Sequence, residues 1–160
     1  MFQNGLIRYV VSDVGHPELL RSQLADELHI LATSPIEAIE TSLVIHPRVL
    51  ERFADYCDFL AEAERLIKRL GFRGILQVAS FHPGFQFANT ETDAIENYTN
   101  RSPYPMLHLL REESITKAAA QWGDLLQIPR RNIAALRDMG PGQFLNLLKT
   151  VDADSKVRKN

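Results

Sequence analysis

The 160-residue sequence lacks the features that define several common protein classes. Its single cysteine, Cys57, excludes an internal disulfide and a metal site built from several thiolates. No apolar run reaches the roughly 18 residues that a membrane-spanning helix needs. The N-terminus MFQNGLIRYVVSD also lacks a charged segment followed by an apolar one. These absences predict a protein of the cytoplasm, in a reducing compartment.

An excess of charge of either sign is missing as well. The formal net charge is -2 and the pI is about 6.2, and no long run of Lys and Arg occurs outside the C-terminal tail. This balance argues against nucleic acid as a partner, because nothing would neutralise a phosphate backbone. Motifs of the G-x-S-x-G, H-E-x-x-H, P-loop and G-x-G-x-x-G types are absent too, so no motif names a reaction.

The sequence does contain an alternation of strand-like and helix-like segments. LIRYVVS (6–12), SLVIH (42–46) and ILQVASF (75–81) have the density of β-branched and aromatic residues that favours strands. The two segments between them carry apolar residues at helical spacing, and the second stops at Gly71. This β-α-β-α-β order predicts a three-layer α/β fold, with a small, mainly parallel sheet of three to four strands covered by helices.

The pattern becomes irregular after the third predicted strand. HPGFQFANTETDAIENYTNRSPYP is rich in Asn, Thr and Pro, with one helical turn near residues 93–98, and segments of this kind are usually functional or mobile. MLHLLR (106–111) then favours a fourth strand, after which Ser114 would cap a separate helix. Two more helices are predicted at 129–139 and at 141 to about 151. Residues 1–151 would thus form a single α/β domain and residues 152–160 a disordered tail.

The dipeptide His-Pro occurs three times, each time just after a predicted strand. Pro17 and Pro47 precede helical patterns, and proline is favoured at the first helical position, so His16 and His46 are explained as residues at a helix start. His82 precedes Gly-Phe-Gln-Phe, which is not a helix start. Its imidazole could act as an acid, a base or a metal ligand. It could equally fasten its own loop through a hydrogen bond to the backbone.

Arg101 is the second candidate, in the segment NYTNRSPYP. Asn100 and Ser102 can supply hydrogen bonds beside it, and two prolines stiffen the chain around it. A guanidinium on a rigid loop suits bidentate recognition of a carboxylate or phosphate. It equally suits an arginine that pins the loop to an acidic core residue.

Several candidates fall at predicted strand ends. In an open α/β sheet, ligands bind at the carboxyl ends of the strands, so Asp13, His46, His82 and Arg111 would form a ring at one edge of the sheet. On a strand, His108 and Arg111 face opposite sides, and Arg111 is the better candidate for the cleft. A divalent metal held by His82 and His46 is the one cofactor that this arrangement suggests.

QVASFHPGFQF and NYTNRSPYPMLHLLREESI resemble a bacterial family known only as domain of unknown function 1415, over about residues 8–140. The resemblance implies that Ser80 to Pro83, residues 100–105, His108 and Arg111 belong to the family signature. It implies no reaction. Members of that family carry an N-terminal helix with a Cys-Pro-Phe motif, whereas only MFQNG precedes the first strand here. We therefore expect an in-frame upstream extension that encodes this helix.

Three functional hypotheses follow from these residues. The first is an enzyme acting on a small anionic substrate, with His82, His46 and Asp13 as catalytic residues and with Asn100, Arg101, Ser102 and Arg111 binding the substrate. The second is a non-catalytic module that binds an anionic metabolite through the 82–105 loop. The third, a structural partner protein, would require an exposed apolar patch. Substrate and oligomeric state are left open by the sequence.

Overall fold

A computed structural model describes residues 6–122, 127–140 and 143 of the chain. Its elements are β1 (Ile7–Val11), α1 (Pro17–Thr33), β2 (Thr41–Ile45), α2 (Phe53–Arg69), β3 (Leu76–Phe81), a 3₁₀ turn (Ile95–Thr99), β4 (Met106–Arg111), α3 (Glu112–Trp122) and a further helix, α4, at residues 127–140. The predicted tail at 152–160, and all of the predicted helix at 141–151 except residue 143, lie outside the described residues.

The four strands form one sheet in the order β1-β2-β4-β3. β1 and β2 pair in parallel, whereas β4 pairs antiparallel with both β2 and β3. The α/β class and the fourth strand are therefore confirmed, but the sheet is mixed rather than mainly parallel. The reason lies in the β3–β4 connection, which contains no crossover helix; the chain turns back and β4 enters the sheet reversed, between β2 and β3.

The crossover helices α1 and α2 contact each other and lie on the same face of the sheet. Right-handed crossovers that step in the same direction across a sheet place their helices on one side, and both crossovers here step from β1 towards β3. Both predicted crossover helices therefore cover one face of the sheet. On the opposite face of the sheet, the side chains of Tyr9 and Val11 are 62% and 70% exposed.

The core lies between the sheet and these two helices. Four leucines of α1, spaced along one side of the helix, have no exposed surface: Leu20, Leu24, Leu28 and Leu31. Burying each contributes about 1.5–3 kcal/mol before the entropy of ordering is subtracted. The end of α2 also matches the sequence pattern, because Gly71 adopts a φ of 80° directly after the helix.

The starts of the helices agree with the sequence only in part. His16 is the N-cap of α1 and Pro17 its first residue, as predicted. Pro47 does not start a helix, because residues 47–52 form a loop in which Leu50 has a positive φ, and α2 begins six residues later. Ser114 is not a cap, since α3 begins at Glu112 directly after β4.

Among the described residues, no helix is long and apolar enough to cross a membrane.

Candidate functional site

His46 and His82 lie buried at the ends of β2 and β3, with 0% and 2% of their surface exposed. Nδ1 of His46 is 3.0 Å from the carbonyl oxygen of Val49, and Nε2 of His82 is 3.1 Å from that of Leu50. A carbonyl only accepts, so both ring nitrogens donate. Nδ1 of His82 in turn accepts from the backbone N–H of Gly84 at 2.9 Å. Both imidazoles therefore fasten backbone, as one of the two sequence hypotheses for His82 required.

Burial also sets the charge of these rings. Desolvation lowers the pKa of both His46 and His82, because the charged form loses its hydration. Both rings are therefore neutral near pH 7. Among the described residues, Nε2 of His46 is the one nitrogen of the two rings that has no hydrogen-bond partner.

Tyr56 of α2 packs beside both histidines, with ring centroids 6.0 Å from His46 and 5.0 Å from His82. Its hydroxyl accepts from the N–H of Phe81 at 3.0 Å and donates to the carbonyl of Met106 at 2.8 Å. These two backbone groups belong to paired residues of β3 and β4, so the hydroxyl is inserted into the last rung of the ladder. Burial raises the pKa of Tyr56, which keeps the hydroxyl protonated as a donor.

Arg101 is bound to its own loop. Its Nε donates to the carbonyl of Phe85 at 3.2 Å and its Nη2 to the carbonyl of Thr92, while the guanidinium lies 4.2 Å from the ring centroid of Tyr98. These contacts use backbone carbonyls rather than an acidic core residue. They use Nε and Nη2, two of the guanidinium donors that were predicted to bind an anion.

The other predicted ligand-binding residues of the loop also make internal contacts. Asn100 donates from Nδ2 to the carbonyl of Ser80 at 3.1 Å, and Ser102 donates to the carbonyl of Tyr104 at 2.6 Å. The side chain of Asn97, a residue with no exposed surface, makes four hydrogen bonds within residues 87–97. The irregular segment between β3 and β4 is therefore ordered, and hydrogen bonds from its own polar side chains stabilise it.

The predicted ring of four residues does not form. Because β4 runs antiparallel, Arg111 lies at the opposite edge of the sheet, where it donates to the carbonyls of Ser34 and Ile39 near the end of α1. Its cation thus meets the negative end of a helix dipole. Asp13 does follow β1 at the same edge as His46, but it is exposed. The placement of Arg111 beside the histidines is therefore wrong.

The histidines also do not fit a metal ion in this arrangement. Among the described residues, no three His, Cys, Asp or Glu side chains lie close enough to hold one. His82 already uses both ring nitrogens, and His46 uses one. A metal at this position would need further protein ligands and broken hydrogen bonds.

A surface pocket of about 320 Å³ lies above the fastened loop, at the carboxyl ends of β1 and β2. It is lined by residues 48–52 together with Gly15, Pro17 and Asp55, so the starts of α1 and α2 both border it. Neither helix has a side-chain cap at its N-cap residue, His16 or Arg52. We call this the α1–α2 pocket.

Several residues at this site could not be predicted from the sequence. The expected helix start at Pro47 placed Arg48 and Arg52 on a helix, and only the geometry shows them in a loop. Tyr56 occupies a core position of α2 like any apolar residue, and nothing local reveals its bridging hydroxyl. The third His-Pro pair was the one usable signal, because it marked His82 as unexplained.

Comparison with known proteins assigns the chain to a family but indicates no activity. No curated protein matches the chain, and no solved structure does. The family described as "Protein of unknown function (DUF1415)" matches over residues 1–146, which is most of the chain. The chain therefore belongs to this family.

Proposed function

We propose that the protein is a non-catalytic module that binds a small anionic molecule in the α1–α2 pocket. The observation that carries the proposal is the convergence of Arg48, Arg52 and the starts of α1 and α2 on one cavity. Open α/β sheets place ligands at the carboxyl ends of their strands, which is where this cavity lies. Its volume of about 320 Å³ is that of a small-ligand site.

The helix starts favour an anion over a neutral ligand. The first N–H groups of a helix lack intrahelical partners and carry a partial positive charge. Ser, Thr, Asp or Asn commonly satisfies them, but the N-cap residues here are His16 and Arg52, and neither makes a capping bond. A bound phosphate or carboxylate would accept from these groups. It would also offset the cost of placing Arg52 at the positive end of α2.

Acidic side chains restrict the ligand further. Glu51 and Asp55 line the same pocket, and Oδ2 of Asp55 lies 3.9 Å from Nε of Arg52. A purely anionic molecule would meet repulsion from these carboxylates. The pocket therefore suits a molecule that carries hydroxyl or ammonium donors next to its anionic group, such as a phosphorylated amino acid.

The loop beneath the pocket is held in a costly conformation. Leu50 has a φ of 59°, and a non-glycine residue there costs on the order of 1–3 kcal/mol. The bonds from His46 and His82 to Val49 and Leu50 offset that cost. A loop fixed in this way loses little entropy when a ligand binds, which supports a binding role.

One observation favours an enzyme as the second candidate. Nε2 of His46 is buried and has no partner among the described residues, so a lone pair near the loop is not used by the fold. If the bound anion or the loop gives it access, His46 would be the general base of an enzyme acting on the same anion. Turnover would then depend on His46, whereas simple binding would not.

The test is calorimetric titration with inorganic phosphate and with O-phosphoserine. We expect O-phosphoserine to bind more tightly than phosphate. Arg48→Gln should weaken the binding of both ligands at least tenfold. Arg69→Gln, an exposed arginine that does not line the pocket, is the matched control and should bind like the wild type. The proposal is wrong if neither compound binds at millimolar concentration, or if Arg48→Gln and Arg69→Gln bind equally well.

A further inference from the structure

We propose that the outer edge of β3 binds an extended, acidic peptide segment of another protein as an added strand. β3 ends the strand order β1-β2-β4-β3, so within the part of the chain that the structure describes one of its sides has no strand beside it. An unpaired edge is a template for strand addition, which is a common mode of peptide recognition. This surface shares no residue with the α1–α2 pocket, and the inference is independent of the function proposed above.

The hydrogen bonds of β3 identify the backbone groups that face outward. Glu112 donates from its N–H to the carbonyl of Ile75 at 2.9 Å, so the backbone of Ile75 faces β4. Residues alternate in an antiparallel ladder. The N–H and C=O groups of Leu76, Val78 and Ser80 therefore face away from β4.

Both ends of this outer edge are closed by the chain itself. The N–H of Leu76 donates to the carbonyl of Phe72 at 3.0 Å. At the other end, Asn100 donates from Nδ2 to the carbonyl of Ser80 at 3.1 Å and accepts from the N–H of His82 at 3.2 Å.

Four groups between these closures have no partner among the described residues: the C=O of Leu76, the N–H and C=O of Val78, and the N–H of Ser80. They offer a short strand of peptide both donors and acceptors.

A groove of about 610 Å³ accompanies this open stretch, between α2 and the β3 edge. Leu76, Val78 and Ile67 line it. Leu76 and Ile67 are 2% and 7% exposed, so the partly exposed Val78 is the apolar side chain on which a side chain of an added strand would pack. In strand addition the backbone hydrogen bonds supply affinity, and the groove would select among the side chains of the peptide.

The charges on the groove favour an acidic peptide. Arg65, Lys68 and Arg73 line it, and none of the three forms a salt bridge with another described residue. Glu64 and Glu112 also line the groove, which leaves a formal excess of one positive charge.

The positive surface continues beyond the groove. An adjoining cavity of about 390 Å³ shares Arg65 and is lined in addition by Arg21, Arg69 and Glu62. In a chain whose net charge is -2, this local excess of cations is a feature of the α2 surface. It provides charge complementarity for Asp and Glu side chains of a peptide.

The experiment uses a displayed library of random heptapeptides, selected on the full chain and counter-selected on the double variant Lys68→Glu/Arg73→Glu. We expect enriched peptides to combine Asp or Glu with β-branched residues. The strongest peptide is then synthesised with single N-methyl groups, which remove one backbone donor at a time and leave the protein unchanged. Methylation of alternate residues should weaken binding at least tenfold, and methylation of the residues between them should have little effect.

Two protein variants complete the test. Lys68→Glu/Arg73→Glu should weaken binding of the peptide at least tenfold, whereas Arg48→Gln in the α1–α2 pocket should leave the affinity for the peptide unchanged. The inference is overturned if no peptide is enriched or if N-methylation at every position is tolerated. It is also overturned if sedimentation shows a dimer whose dissociation exposes the β3 edge, because the occupant would then be a second copy of the chain.

Discussion

His46 and His82 lie at the ends of two strands that are separated by β4, yet they donate to the successive carbonyl groups of Val49 and Leu50. The two histidines thus fix a single loop from two sides. This relationship explains two of the three His-Pro pairs by loop positioning, and only His16 stands at a helix start.

His82→Ala should destabilise the protein by about 2–4 kcal/mol, because it leaves the C=O of the buried residue Leu50 and the N–H of Gly84 without partners and opens a cavity. A free energy of unfolding from urea denaturation measures the loss. A catalytic histidine with no structural role would instead cost well under 1 kcal/mol. A loss of that small size would contradict the positioning role.

His16→Asn is the matched control for that experiment. His16 is exposed and makes no side-chain capping bond, and Asn is a good N-cap residue. The free energy of unfolding should stay within about 0.5 kcal/mol of the wild type or rise slightly. A loss well above 1 kcal/mol would mean that His16 has a specific partner.

Stability should decrease in mild acid. Burial lowers the pKa of His46, His82 and His108 below the ordinary 6.5, so below that pH the unfolded chain binds more protons than the native one. The contribution of these residues is complete above about pH 6.5 and is lost as the pH falls towards the lowered values. Urea denaturation between about pH 7 and pH 5 should show a fall of up to about 1.4 kcal/mol per pH unit for each group. A flat profile over this range would contradict neutral, buried rings.

Tyr56→Phe should cost about 2–3 kcal/mol, because the hydroxyl satisfies the N–H of Phe81 and the C=O of Met106 at once. Tyr9→Phe is the matched control, since Tyr9 is 62% exposed and should change stability by less than about 0.5 kcal/mol. Thermal and urea unfolding of the two variants give the comparison. Equal effects would show that the bridge contributes nothing.

Arg101→Lys should loosen the loop that follows β3. Lysine keeps the charge but cannot donate to Phe85 and Thr92 with the same fork. We expect a loss of about 1–2 kcal/mol and faster hydrogen exchange at the amide of Phe87, which is bound by Asn97. If stability and exchange stay unchanged while phosphate binding weakens, Arg101 is an anion ligand, which is one of the two interpretations that the sequence left open.

Periodic patterns predicted the parts of the fold that depend on local sequence. The leucines of α1, the stop at Gly71 and the strand at Met106–Arg111 follow from spacing and composition alone. The direction of β4 does not, because a nearly continuous apolar run such as MLHLLR indicates a buried central strand without setting the direction in which it pairs. The error in direction moved Arg111 to the wrong edge of the sheet.

The candidate site was harder to predict because its residues act through tertiary contacts. His82 and Leu50 are joined by a bond between residues 32 positions apart, and no spacing rule indicates such a pair. Pro47 followed by an apolar periodicity is typical of a helix start. The turn at residues 47–50 prevails here because two buried imidazoles stabilise it.

The tautomers and charges of His46 and His82 test the central claim most directly. Nitrogen-15 NMR of the imidazole rings distinguishes protonated rings from each neutral form. At pH 7 the hydrogen bonds predict neutral rings, with the proton on Nδ1 of His46 and on Nε2 of His82. A proton on Nε2 alone of His46, or on Nδ1 alone of His82, would contradict the account, because the bond to Val49 or to Leu50 would then lack its donor. A protonated His82 would contradict it too, because Nδ1 could no longer accept from the N–H of Gly84.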